Sequence, residues 1–164
     1  MNKEKQELKE LNFKYRLIEA KRINYFEKDI DESIFRSKFN KRSVAFKLNL
    51  QLKIDDSYGT IELILEVKFY YKSNNHREEL FGIRTSHKFK IKNFKEVFPS
   101  KNKKKYIIPD KVTATFLGIA ISGTRGMLVI LNTNKYYKDI LLPLINPLDI
   151  IKKGEKSKSK SSIL

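Results

Sequence analysis

The clearest pattern in the chain is a strict alternation. Val44, Phe46, Leu48, Leu50, Leu52 and Ile54 are apolar, and Lys47, Asn49, Gln51 and Lys53 stand between them, with Ala45 the only small exception. Side chains of a strand point alternately to its two faces, so this row predicts a strand with one buried face. Asp55 to Gly59 supplies turn residues, and Ile61, Leu63, Leu65, Val67, Phe69 and Tyr71 then repeat the row against Glu62, Glu66 and Lys68. A turn over 72–79 and a strand from Leu80 to Phe94 complete an antiparallel meander solvated on one face. Upstream, Phe13, Tyr15 and Leu17 alternate, the register slips around Ile18, and alternation resumes with Ile23 and Tyr25. That sequence of events predicts a long bent strand over 12–26 with a bulge; a helix competes, because the first ten residues are strong helix formers. Residues 27–42 read as an irregular connection carrying Ile34, Phe35 and Phe39.

After Val112 the period becomes helical. Leu117, Ile121, Leu128 and Leu131 fall on one face, with Phe116, Ala120, Met127 and Ile130 beside them. Asp110 reads as the N-cap and Asn132 to Asn134 as the stop. Gly118, Ser122 and Gly126 stand four apart, a ridge without side-chain bulk that admits another helix or the sheet. A glycine costs about 0.5–1 kcal/mol in a helix interior, so close packing is the natural compensation. The apolar run from Ile140 to Ile151 is broken by Pro143 and Pro147, and Asn146 with Pro147 forms the N-cap and first position of a short terminal helix.

Composition narrows the classes. The chain has 164 residues with 35 Lys+Arg against 19 Asp+Glu, a net charge of +16, and 40% hydrophobic content suffices for a core. With 0 cysteines, disulfide scaffolds, thiol nucleophiles and cysteine metal sites are excluded. Its N-terminus lacks the apolar segment of a signal peptide, and no continuous apolar stretch is long enough for a membrane span, so a cytoplasmic protein without membrane insertion is expected. Residues 1–151 read as one domain, with 1–10 an N-terminal extension and 152–164 a disordered Lys/Ser tail.

The charge asks whether nucleic acid is bound. Much of it lies in Lys101, Lys103, Lys104 and Lys105 and in the tail, both of which read as mobile chain. Lys88, Lys90 and Lys92 share one face of a strand, but their neighbours Phe89 and Ile91 point to the other, which favours a half-buried strand with a lysine-coated outside over a base-stacking surface. A basic nucleic-acid-binding module is therefore the alternative reading. Catalytic chemistry is thin: the 2 histidines, His76 in a turn and His87 in a strand, exclude a multi-histidine metal site. Ser122 to Gly126 (SGTRG) lies inside the helical period and lacks the Lys-Ser/Thr ending of a phosphate loop. Asp55 and Asp56 have no acid–base partner nearby in sequence. Neither an enzyme nor a cofactor requirement is expected.

The order of elements, strands, then a small-residue helix, a proline-broken apolar segment and a short helix, resembles the SecB protein-export chaperone family. Phe13 to Glu27 looks like that family's first strand, with Lys21, Ile23 and Tyr25 on its Lys, Ile and Phe positions. His87 to Ile91 (HKFKI) is similar to a later strand's Gly-Ile-Phe-x-Ile ending, and Leu141 to Ile151 to the Leu-x-Pro-Val-Asn-Phe-x-x-Leu segment entering the terminal helix. The resemblance implies an α+β fold: a four-stranded antiparallel sheet with a long helix and a short C-terminal helix packed on one side. It also implies a homotetramer, a dimer of dimers, that holds unfolded polypeptides without ATP or metal. Those clients are export precursors or a dedicated protein such as an antitoxin.

Such a surface must be apolar and exposed. Phe26, Phe35, Phe39, Leu141, Leu144 and Ile145 are the candidates for polypeptide binding, core or subunit-interface packing being the other reading of each. Gly118, Ser122 and Gly126 are the candidates for the oligomer interface, with packing on the subunit's own sheet the alternative. The family's acidic positions that recruit the SecA motor correspond to Arg22 and Gly82, so hand-off to SecA is not expected.

Overall fold

The computed structural model describes residues 14–29, 43–73, 76–98, 100–102 and 105–152. Phe35, Phe39, the 1–10 extension and the tail beyond 152 lie outside the described residues. Four long strands form one antiparallel sheet: β1 (Tyr15–Glu27), β2 (Val44–Asp55), β3 (Thr60–Ser73) and β4 (His76–Ile91). Their spatial order is β1-β4-β3-β2, so three hairpin-connected strands form the meander and the first strand returns to the far side of the last. A one-turn helix α1 (Phe94–Val97), a small hairpin of β5 (Ser100–Asn102) and β6 (Lys105–Tyr106), and the long helix α2 (Asp110–Leu131) follow. A short helix α3 covers 147–152. The fold is α+β.

Local chemistry explains most element ends. Asp55 Oδ1 accepts hydrogen bonds from Ser57 Oγ at 2.6 Å and the Tyr58 amide at 3.2 Å, closing the β2–β3 turn. Gly59 takes the left-handed conformation there, at φ 59°. Asn146 Oδ1 accepts from the Leu148 amide at 3.1 Å, as expected of an N-cap with proline following. Three ends differ from the sequence reading. The β3–β4 connection is tighter, because His76 to Glu79 already belong to β4, and β4 stops at Ile91, where Asn93 in the left-handed region starts α1. Asp110 is the first residue of α2 and makes no side-chain cap; Pro109 precedes it as N-cap, leaving Asp110 to complement the helix dipole. The basic run after Pro99, read as mobile chain, contains the β5–β6 pairing.

One register shift of β1 falls between Leu17 and Glu19, where the sequence slips, and a second lies between Arg22 and Asn24. Each moves one residue out of the ladder, so Tyr25 and Glu27 face α2 while Phe26 faces outward beside Gly82. The core lies between the sheet and α2. Ile61, Leu63, Leu65, Val67 and Phe69 of β3, Phe81, Ile83, Phe89 and Ile91 of β4, and Phe116, Leu117, Ala120, Ile121 and Leu128 of α2 are buried. Phe81 stacks on Phe69 with centroids 4.4 Å apart and on Tyr137 at 5.2 Å, and Phe89 stacks on Phe116 at 4.4 Å. By length and composition α2 could cross a membrane, and 33% of its most apolar stretch is buried in this packing.

The close approach of helix and sheet is made by Gly123. A Cβ there would come within 2.7 Å of His87 Nε2, so the imidazole fills the space a side chain would need. His87 is fully buried, and neither ring nitrogen has a hydrogen-bond partner among the described residues. Burial holds its pKa below the ordinary 6.5, keeping the ring neutral. The unfolded chain therefore takes up a proton near pH 6.5 that the folded chain refuses, so stability is complete above that pH and falls on acidification below it. Denaturant midpoints measured at pH 7.5 and 5.5 should separate further in the native protein than in His87→Leu. Equal separation would place the acid sensitivity elsewhere.

Candidate functional site

The helix lies chiefly on β3, β4 and β1, so β2 keeps an apolar row that nothing fully covers. Phe46 and Leu52 are exposed, and Val44, Leu48, Leu50 and Ile54 are half-buried against the core. β2 is also an edge strand, and its pairing with β3 runs through twelve residue pairs from Val44↔Tyr71 to Asp55↔Thr60 without a register shift. Edge strands of soluble proteins are commonly guarded by bulges or charge. β1 at the opposite edge has two register shifts; β2 has none.

The other wall comes from the segment after α2. Leu142 is buried and anchors it, Leu141 is 55% exposed and Leu144 89% exposed. Arg125 on α2 fixes its course: Nε donates to the Leu142 carbonyl at 2.9 Å and Nη2 to the Pro143 carbonyl at 2.5 Å. Upstream, Asn132 Nδ2 donates to the Tyr137 carbonyl at 2.8 Å and the Tyr137 hydroxyl to the Lys28 carbonyl at 3.0 Å. Glu27 receives Asn134 Nδ2 at 2.6 Å and the Tyr25 hydroxyl at 2.6 Å. Burial first, and then the Glu27 carboxylate, push both tyrosine hydroxyls well above their ordinary pKa, so they remain donors at any working pH.

Between these walls runs an open groove of about 330 Å³ lined by Val44, Ala45, Phe46, Phe69, Asp139, Ile140, Leu141 and Pro143. Its walls are mainly apolar, with Asp139 the one charged residue. Among the described residues the outer edge of β2 pairs with no strand and the lining holds no nucleophile–base pair. Among the described residues no group of His, Cys, Asp or Glu is placed to hold a metal ion.

The structure separates the sequence candidates. Leu141 lines the groove, Leu144 is exposed one residue beyond the lining residue Pro143 and is not itself part of the lining, and Ile145 is half-buried against the core. Phe26 lies on the opposite face of the sheet, next to Lys68, Gly82 and Arg84, because the second shift in β1 turns it outward; it does not belong to this groove. Phe46 and Val44 were missed as groove residues. Their alternation identified the apolar face of β2, but not that the helix leaves that strand half bare. The Gly118/Ser122/Gly126 ridge does not meet the sheet. Gly118 approaches Pro147, with an added Cβ 3.5 Å from its ring, Gly126 has open space, and Ser122 is exposed. Val129 at 55% and Ile130 at 76% exposure continue this uncharged stripe. Gly82 is dictated by packing: a Cβ would stand 2.6 Å from Phe26 Cε1 and 2.7 Å from the Val67 carbonyl oxygen, leaving no room for an acidic side chain.

No protein-family model matches the chain, and no curated protein matches it. Among solved structures, the chain is similar to a Mycobacterium tuberculosis SecB-like chaperone in complex with a ChAD peptide from an antitoxin, at 7% identity and a TM-score of 0.46, over 80% of this chain and 90% of that one. A Streptococcus agalactiae protein of unknown function gives 12% identity and a TM-score of 0.30, over 80% of this chain and 98% of that one.

Proposed function

We propose that this chain is an ATP-independent, SecB-like holding chaperone that takes extended apolar segments of unfolded polypeptides into the groove along β2. The exposed apolar walls of that groove, beside a strand edge that pairs with no other strand among the described residues, carry the reading. An incoming extended segment can pair its backbone with β2 and seat alternate side chains against Phe46 and Leu141, a mode that needs little sequence specificity. The surrounding lysines keep such a surface soluble. Clients are export precursors or a dedicated protein such as an antitoxin. Without acidic groups at Arg22 and Gly82, transfer to SecA is not part of this proposal. On this reading the protein is a binder that works in the cytoplasm and not an enzyme. The uncharged stripe through Ser122, Gly126, Val129 and Ile130 is the surface on which copies assemble into a dimer of dimers, because two strongly basic chains approach most easily through an uncharged face.

The test is a diluted, aggregation-prone client followed by light scattering. Stoichiometric protein should suppress the signal without nucleotide. Full aggregation at that ratio would end the chaperone reading, and a monomer by native mass measurement would end the assembly reading.

A further inference from the structure

The sheet face turned away from α2 carries a second surface, independent of the groove. Along β4 the positions facing away from the helix are Gly82, Arg84, Ser86, Lys88 and Lys90, of which Arg84 and Lys90 are exposed, Lys88 is half-buried and Gly82 and Ser86 are covered, while Ile83, Thr85, His87, Phe89 and Ile91 are buried toward the helix. A strand rises about 3.4 Å per residue, so these outward side chains recur about every 6.8 Å. That stride suits the phosphates of an extended single strand. Neither Arg84 nor Lys88 forms an ion pair among the described residues. Glu19 is paired with Lys21 at 2.9 Å and Glu79 with Lys68 at 3.2 Å. Glu62, opposite Lys88, and Glu66, opposite Arg84, accept only from neutral groups, Ser86 Oγ at 2.6 Å and Asn49 Nδ2 at 2.9 Å, and keep their charge. Along this line Arg84, Lys88 and Lys90 thus stand against Glu62 and Glu66.

Aromatic rings stand at both ends of this line. Phe26 lies over Gly82, the missing Cβ being what lets its ring approach the strand, and Lys68 Nζ sits 5.7 Å from its centroid. Beside it is a hollow of about 180 Å³ bounded by Ile23, Asn24, Arg84 and Lys68 together with the carboxylates Glu66 and Glu79, of which Glu79 is paired with Lys68. At the other end Tyr58 is 70% exposed, and its carbonyl receives the Lys90 amine. We propose that this face binds single-stranded nucleic acid, with phosphates along Lys90, Lys88 and Arg84 and a base in the hollow against Phe26. Cations tracking a backbone beside rings that accept bases are the two parts such binding needs. An acidic polypeptide would use the cations but not the ring and hollow, which is why nucleic acid is favoured. The sequence reading looked for aromatics within β4 itself; the ring comes instead from β1.

The experiment is fluorescence anisotropy of a labelled oligo-dT against the full chain over a salt series. Wild-type affinity should fall linearly in log–log form. Replacing Arg84 and Lys88 together with glutamine should weaken binding at least tenfold and reduce the slope by about 1.4, at roughly 0.7 per lost phosphate contact. Phe26→Leu should weaken binding severalfold at unchanged slope, and Phe26→Tyr should retain it. Circular dichroism melts confirm that each variant folds. Three results would overturn the proposal: no binding at low salt, an unchanged slope in the Arg84/Lys88 double variant, or displacement of the oligonucleotide by poly-glutamate as readily as by unlabelled oligo-dT. All these variants should still suppress client aggregation, so this proposal and the chaperone reading fail separately.

Discussion

Aspartate at both Phe46 and Leu141 should abolish suppression of client aggregation while leaving a folded protein. The two side chains stand on opposite walls of the groove, so an apolar segment entering between them would have to desolvate two carboxylates. Burying an unpaired charge against apolar surface costs several kcal/mol, enough to lower client affinity more than tenfold, since about 1.4 kcal/mol is one decade. Stability should suffer less, because Phe46 is 38% and Leu141 55% exposed in the free protein. Phe46 does touch Phe69, at 6.2 Å between centroids, so Leu141→Asp alone is the variant least coupled to folding. Lys47→Asp, on the same strand but the other face, is the control that should hold clients normally. Undiminished suppression by the Phe46/Leu141 double variant would remove the groove from the mechanism.

The largest loss of stability is expected from Phe81→Ala. The ring is fully buried between Phe69 and Tyr137, and deleting a buried phenyl group costs about 3–5 kcal/mol through lost transfer energy and the cavity left behind. Tyr137 is the link between this stack and the groove. Its hydroxyl holds the end of β1, its carbonyl is held by Asn132, and the wall residues follow directly. Loosening the stack should therefore reduce holding activity under conditions where most molecules are still folded. Phe81→Leu preserves most of the volume and should cost under about 1.5 kcal/mol. Urea melts of the two variants provide the check; equal midpoints would show that the stack is not the keystone of this core.

How far these features could be read from sequence depends on the range of the interaction that fixes them. Alternation placed β2 and β3, helical spacing placed α2, and Asn146-Pro147 marked the start of α3, because each signal lies within a few residues. The slip at Ile18 was visible for the same reason. The second slip in β1 was not, and it decides which way Phe26 faces; only the ladder with β4 fixes it. Gly123 escaped notice because the ridge of Gly118, Ser122 and Gly126 offered a regular spacing, whereas the glycine that meets the sheet is identified by His87, thirty-six positions earlier by the numbering. The groove depended on a fact no single segment contains, namely that α2 stops short of β2.

If the groove holds clients as proposed, Arg125 has a consequence for how that surface could change over generations. Both of its hydrogen bonds end on carbonyl oxygens of Leu142 and Pro143, not on side chains. The path of the wall is thus prescribed by main-chain atoms that every residue type possesses, while its side chains at 141 and 144 are largely exposed. Substitutions there can retune which polypeptides are preferred without redrawing the scaffold. A lineage could exchange one clientele for another and keep the same clasp.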